Sequence, residues 1–146
     1  MIYSRSAEYA IRSFVYLAQI PDGKFAMARH IAEEEQIPAH FLAKILQELT
    51  RKGLLRSNKG PSGGFSLRLP ANQIRLLDLV EALDGAALAE SLDQAPWVLD
   101  SFRDLHSRIM GYLESNTIAD VVKALEHKKA AASKSKRGKR AGNKKT

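Results

Sequence analysis

The 146 residues include no cysteine. That absence removes a disulfide framework, a thiol nucleophile, a cysteine-ligated zinc site and any iron–sulfur cluster held on the chain's own thiolates. Long hydrophobic runs are also missing. No stretch of about 18 apolar residues occurs, so no segment reads as a membrane-spanning helix. Near the N-terminus, Glu8 and Arg12 interrupt the apolar run that a signal peptide needs, and a cytoplasmic protein with no membrane partner is expected. Catalytic signatures are equally scarce. His30, His40, His106 and His127 form no i, i+4 pair and no HExxH, Gly63-Gly64 is not followed by GK[ST], and no nucleophile–base pair or paired carboxylates emerge. The chain is not read as an enzyme, and neither a metal nor another cofactor is expected.

Acidic residues are absent from residue 128 onward, where nine of 19 residues are Lys or Arg. Residues 1–75 hold 11 basic and six acidic side chains, a net of +5. Residues 76–127 hold three and ten, a net of −7. The overall charge of +7 is thus a basic N-terminal half, an acidic middle and a strongly basic end. Solubility alone does not require such segregation. Hydrophobic residues make up 45% of the chain, enough for a core, and the length suits one small domain with an appendage.

Apolar spacing supplies the elements. Ser4 or Ser6 can cap a first helix reaching about residue 19, with Ala7, Ala10, Ile11, Phe14, Val15 and Ala18 on one face. Pro21-Asp22-Gly23 ends it. A short second helix spans about 27–35 with Met27, Ile31 and Ala32 inward. Glu33-Glu34-Glu35 reads as its solvated end, although negative charge suits the C-terminus of a helix poorly. Pro38 opens a third helix that buries Phe41, Leu42, Ile45, Leu46 and Leu49 and stops at Gly53. Two short strands follow, at 54–56 and 65–69, joined by the flexible turn SNKGPSGG. A fourth helix is expected over 74–83, ending before Gly85, and the periodicity of 86–95 is weak. A long helix runs from about 96 to 114, with Trp97 as an anchor at its start and Val98, Phe102, Leu105, Ile109 and Leu113 in a stripe. Thr117 and Asp120 form a capping box for a last helix over 118–128. The remaining tail lacks any large apolar residue and is expected to be disordered alone.

Helix, short helix, turn, helix and two-stranded hairpin is the order of a winged helix-turn-helix, whose second motif helix enters the DNA major groove. Between residues 44 and 75, Lys44, Arg51, Lys52, Arg56, Lys59, Arg68 and Arg75 face Glu48 alone. The third helix leaves Ala39, His40, Ala43, Lys44 and Gln47 on its outer face. Gln47 offers a donor and an acceptor to adenine. Arg51, and Lys59, Ser62 and Gly63 in the hairpin turn, complete the candidate DNA-binding set, with Lys59 reaching a phosphate or the adjoining minor groove. A small helical domain with a solvated basic face is the bland alternative.

The runs SRSAEYAIRSFVYLA, HIAEEEQIPAHFLAKILQELTRKGLLRSNKGPSGGFSL and NQIRLLDLVEALDG together resemble the Rrf-two family of bacterial regulators, the IscR-, NsrR- and CymR-like winged-helix repressors. The resemblance is closest over residues 1–85. It implies a mainly α fold with a hairpin wing, a homodimer built on antiparallel long helices, and two heads reading a roughly palindromic operator in double-stranded DNA. The stripe on the long helix could pack on its own head, on a partner or on both; the resemblance favours a partner, which makes Phe102, Leu105, Ile109 and Leu113 the candidate dimer interface. Many relatives carry three cysteines before the long helix and hold a cluster with them, and the corresponding stretch here has none. Glu8 and His106 are accordingly ordinary helix or interface residues. Many relatives place arginine in the wing where this chain has Lys59, and an acidic residue where it has Ala43, so their operator does not transfer.

The expected organisation is a DNA-binding head over 1–85, a linker, dimerisation helix and terminal helix over 86–127, and a disordered basic tail over 128–146. The tail has three readings: a non-specific DNA arm, which is favoured, a solubility appendage, or a site for another acidic partner. The expected function is a dimeric, sequence-specific transcriptional repressor without its own cluster, with a small ligand, a sensor protein or constitutive binding left open as to the signal. The alternative is a winged-helix interaction module, or a non-specific DNA binder acting through its tail.

Overall fold

The computed structural model of the chain describes residues 4–61, 63–93 and 100–142, the side chains of 86–93 and 100–102 excepted. Six helices and one hairpin are arranged in chain order as α1 (Arg5–Ala18), α2 (Ala28–Glu35), α3 (Ala39–Arg51), β1 (Leu55–Asn58), β2 (Gly64–Leu67), α4 (Leu76–Asp93), α5 (Asp100–Ser115) and α6 (Ile118–Gly142). A single 3-10 turn, Ala71–Gln73, precedes α4. Trp97 and Val98 lie outside the described residues, as does Ser62 in the wing.

Ser4 is the cap of α1: its hydroxyl accepts from the Ala7 N–H at 3.1 Å. Its own N–H donates to the Asp84 carboxylate at 2.7 Å, which ties the start of α1 to α4. Ala7, Ala10, Phe14, Val15 and Leu17 form the buried side of α1, and the helix packs against α4 and α6. Ile31 from α2, Leu42, Leu46 and Leu49 from α3, Leu55 from β1, Leu79 from α4 and Ile118 from α6 close around it. Each is fully or almost fully buried, so truncating any one leaves a cavity costing about 2–5 kcal/mol.

Between α2 and α3 the chain turns at Gln36, which has left-handed dihedrals (φ 55, ψ 47). The Ile37 N–H then donates to the Ala32 carbonyl at 2.9 Å, so the helix end is satisfied. The Arg12 guanidinium donates to the Glu35 carbonyl and pairs with its carboxylate at 3.7 Å. That cation compensates the acidic end of α2, the feature that composition alone left without explanation.

Several predicted boundaries move. Met27 is not inward: it is the extended residue before α2 and is 53% exposed. Phe41 is 49% exposed, because Leu42, Ile45, Leu46 and Leu49 already fill the buried side of α3. Ile74 is fully buried but sits in the connection ahead of α4. There its carbonyl accepts from the Ile118 N–H at 2.9 Å, while the Leu76 N–H donates to Asn116 at 3.0 Å. Helix α4 continues through Gly85 to Asp93, since a glycine inside a run of Ala, Leu and Glu lowers helix stability without ending it. The tail expected to be disordered is helical as far as Gly142. Alanine and lysine have high helix propensity and no proline interrupts them, so the helix begun at Thr117 propagates without tertiary support.

Candidate nucleic-acid interface

Helix α3 is held by its buried side and offers the other side to solvent. Ala39, His40, Phe41, Lys44, Gln47 and Arg51 are exposed and Ala43 is half-buried. His40, Lys44, Gln47 and Arg51 follow i, i+4, i+7, i+11 spacing, one stripe on a helix. The His40 and Phe41 rings meet edge to face, 5.8 Å between centroids. Phe41 therefore joins the outer surface of the helix start, where an apolar ring can contact a thymine methyl. Apolar periodicity had assigned it to the core, and only the count of residues needed to fill that core corrects the assignment.

The hairpin beside α3 pairs antiparallel, with Leu55 opposite Leu67, Arg56 opposite Ser66, Ser57 opposite Phe65 and Asn58 opposite Gly64. Ala26 adds a third chain: its N–H donates to the Phe65 carbonyl at 2.9 Å and its carbonyl accepts from the Phe65 N–H at 2.8 Å. The double glycine is what permits this closeness. A Cβ on Gly64 would lie 2.3 Å from the Ala26 carbonyl oxygen, and one on Gly63 would lie 2.4 Å from that of Asn58. Gly63 is buried. It shapes the wing tip instead of presenting a surface, which changes the role expected for it. Lys59 is exposed at that tip.

Not every cation between 44 and 75 is available. Lys52 pairs with Glu48 at 3.4 Å and donates to the Ala82 carbonyl, fastening α3 to α4. Arg75 grips Asp78 through Nη2 at 2.8 Å and Nε at 3.2 Å, and reaches Glu114 at 3.8 Å. The hydrogen bond to Asp78 is also the main reason its pKa is raised above the ordinary arginine value. Lys44, Arg51, Arg56, Lys59 and Arg68 make no ion pair among the described residues. These five, on α3 and on or beside the wing, are the unpaired cations of this segment among the described residues.

The α5 stripe divides. Leu105 is 47% exposed, Ile109 is partly buried, and Leu113 belongs to the core of its own head. The backbone of Phe102 is helical, but its side chain lies outside the described residues. Tyr112, 61% exposed, was absent from the predicted stripe. At 3.6 residues per turn it lies about 20° around the helix from Leu105, whereas Leu113 lies about 80° away. The exposed seam therefore runs through Leu105 and Tyr112.

A family model described as Rrf2, iron-dependent transcriptional regulator, matches residues 3–124. The chain belongs to the Rrf2 family. A protein of Aquifex aeolicus bearing the name of an HTH-type transcriptional regulator is 32% identical over 84% of this chain and 92% of its own length. Among solved structures, CymR, the global cysteine regulator of B. subtilis, superposes with a TM-score of 0.69 at 20% identity, covering 83% of this chain and 95% of CymR. T. potens IscR gives 0.69 at 23% identity, covering 85% of this chain and 88% of IscR. These two likenesses show the winged-helix fold. Together with the family match, they make the chain a DNA-binding transcriptional regulator of the Rrf2 type.

The family description names iron. The sequence holds no thiolate for a cluster, and among the described residues no three His, Asp or Glu side chains gather as a metal site. Glu8 pairs with Arg12 at 4.0 Å. Also among the described residues, no helix is long and apolar enough to cross a membrane.

Proposed function

We propose that this Rrf2 protein is a cytoplasmic, homodimeric, sequence-specific repressor that works without a cluster of its own. The observation that carries the reading is the outer face of α3: Ala39, His40, Phe41, Lys44, Gln47 and Arg51 stand exposed on a helix whose opposite side is locked in the core. In this reading α3 enters the major groove with His40, Ala43, Lys44 and Gln47 toward base edges. Arg51, Arg56 and Arg68 meet phosphate, and Lys59 at the wing tip meets the neighbouring minor groove. Dimerisation through the Leu105–Tyr112 seam sets two heads on half-sites about 34 Å apart, one turn of the duplex. With no thiol to oxidise and no cluster to lose, the signal is a small ligand or a partner protein.

Selection of genomic fragments on the purified protein tests this. Enrichment of one palindromic motif is expected, and it disappears in the Gln47→Ala, Lys59→Ala double variant. Uniform recovery of unrelated fragments by both proteins overturns sequence-specific reading. An absorbance spectrum of anaerobically purified protein is expected to show no iron–sulfur bands.

A further inference from the structure

Helix α6 does two different things along its length. Up to Leu125 it packs on the head, with Ile118 buried and Val121, Val122 and Leu125 partly buried. From Glu126 to Gly142 every residue is exposed, a projecting rod about 25 Å long. After Glu126 it carries Lys128, Lys129, Lys134, Lys136, Arg137, Lys139 and Arg140, and no acid. At 100° per residue all of these but Lys134 fall within about half the circumference of the helix. Lys136 stands three residues from Lys139 and four from Arg140, and Arg137 three from Arg140, spacings at which like charges weaken a helix. Among the described residues no carboxylate pairs with any of the seven, although the neighbouring segment is strongly acidic.

We propose that residues 128–142 form a second DNA-binding element, a helical arm that lies along the phosphates of duplex DNA without reading its bases. It rests on the regulator reading above for the identity of the polyanion. Lys134 apart, the side away from the other six cations holds only Ala, Ser and Gly, so it offers no apolar anchor for a bilayer or for a protein groove. Lysine outnumbers arginine five to two in the arm, and a lysine ammonium is a point charge that suits phosphate more than a base edge. The matched family region ends at residue 124, before the arm begins. Because it is joined to a head that already binds DNA, its local concentration at the duplex is high and its contacts add avidity.

The test compares the full chain with a full-length variant in which the seven arm cations are glutamine, which preserves helix propensity. Binding to a mixed-sequence duplex is measured between about 50 and 200 mM salt. The variant is expected to lose at least about tenfold in affinity, and its salt slope is expected to fall by about 0.9 for each phosphate contact removed. Far-UV circular dichroism is expected to show the same helix content in the two proteins, so that the loss of affinity reports the charges and not the fold. Equal affinity and equal slope in the two proteins overturn the arm. So does stronger arm-dependent binding to anionic phospholipid vesicles than to duplex DNA. Failure of the regulator reading is distinguishable: no motif is then enriched in fragment selection, while mixed-sequence binding still depends on the seven cations.

Discussion

Gly64 has φ +140 and no room for a Cβ against the Ala26 backbone. Replacing it with alanine cannot be absorbed by a side-chain movement, because the obstruction is main chain. Gly64→Ala is therefore expected to separate the wing from Ala26, weakening specific DNA binding more than tenfold while α1 to α4 stay folded. Fragment binding alongside circular dichroism checks this. Gln36 is the opposite case, a non-glycine residue held in left-handed dihedrals at the motif turn. That conformation costs an L-residue about 1–2 kcal/mol, part of which glycine returns as chain entropy. Gln36→Gly is expected to stabilise the protein by up to about 1 kcal/mol in urea denaturation. From the sequence, the glycines of the wing read as a flexible turn, and nothing marks Gln36 as left-handed. Their real roles depend on a neighbouring carbonyl and on a dihedral that composition does not record.

Element by element, the capping box at α6 was legible because its two partners are only three residues apart in the chain. The Thr117 N–H donates to Asp120 Oδ2 at 2.8 Å, and the Asp120 N–H donates to Thr117 Oγ1 at 3.3 Å. The Thr117 backbone hydrogen bond, followed by its hydroxyl, holds the Asp120 carboxyl below the usual aspartate pKa of 3.8. A carboxylate with a depressed folded-state pKa stabilises above its unfolded value and loses that contribution as pH falls through the lower, folded one. Titration of Asp120 by NMR is expected to show its midpoint below 3.8, with the first turn of α6 loosening only under that midpoint. Thr117→Ala is expected to cost about 1 kcal/mol. The ends of α4 and α6 were misread for a shared reason: a glycine or a loss of apolar spacing was taken to stop a helix that local propensity carries further.

At the scale of the whole molecule, charge and exposure separate three surfaces. The α3–wing face carries unpaired cations, the α5 seam carries exposed apolar groups, and the α6 arm carries charge alone. Leu105→Glu with Tyr112→Glu is expected to give a monomer with unchanged helix content in sedimentation analysis. Leu113→Ala, in contrast, is expected to lower stability by about 2–5 kcal/mol, because Leu113 belongs to its own head's core. A double-glutamate variant that remains dimeric would move the interface elsewhere.

The winged-helix order of elements, the segregation of charge and the lack of thiolates follow from the sequence by itself, because periodicity, turn residues and composition are local quantities. Tertiary structure alone decided the rest. It brought Lys52 to the Ala82 carbonyl of α4 and Arg75 to Glu114 of α5, and turned Phe41 and Tyr112 outward once other side chains had filled the core. It also assigned Leu113 to its own head. Each outcome is a competition between groups distant in the chain for the same space or the same charge, and a one-dimensional pattern cannot rank such competitors.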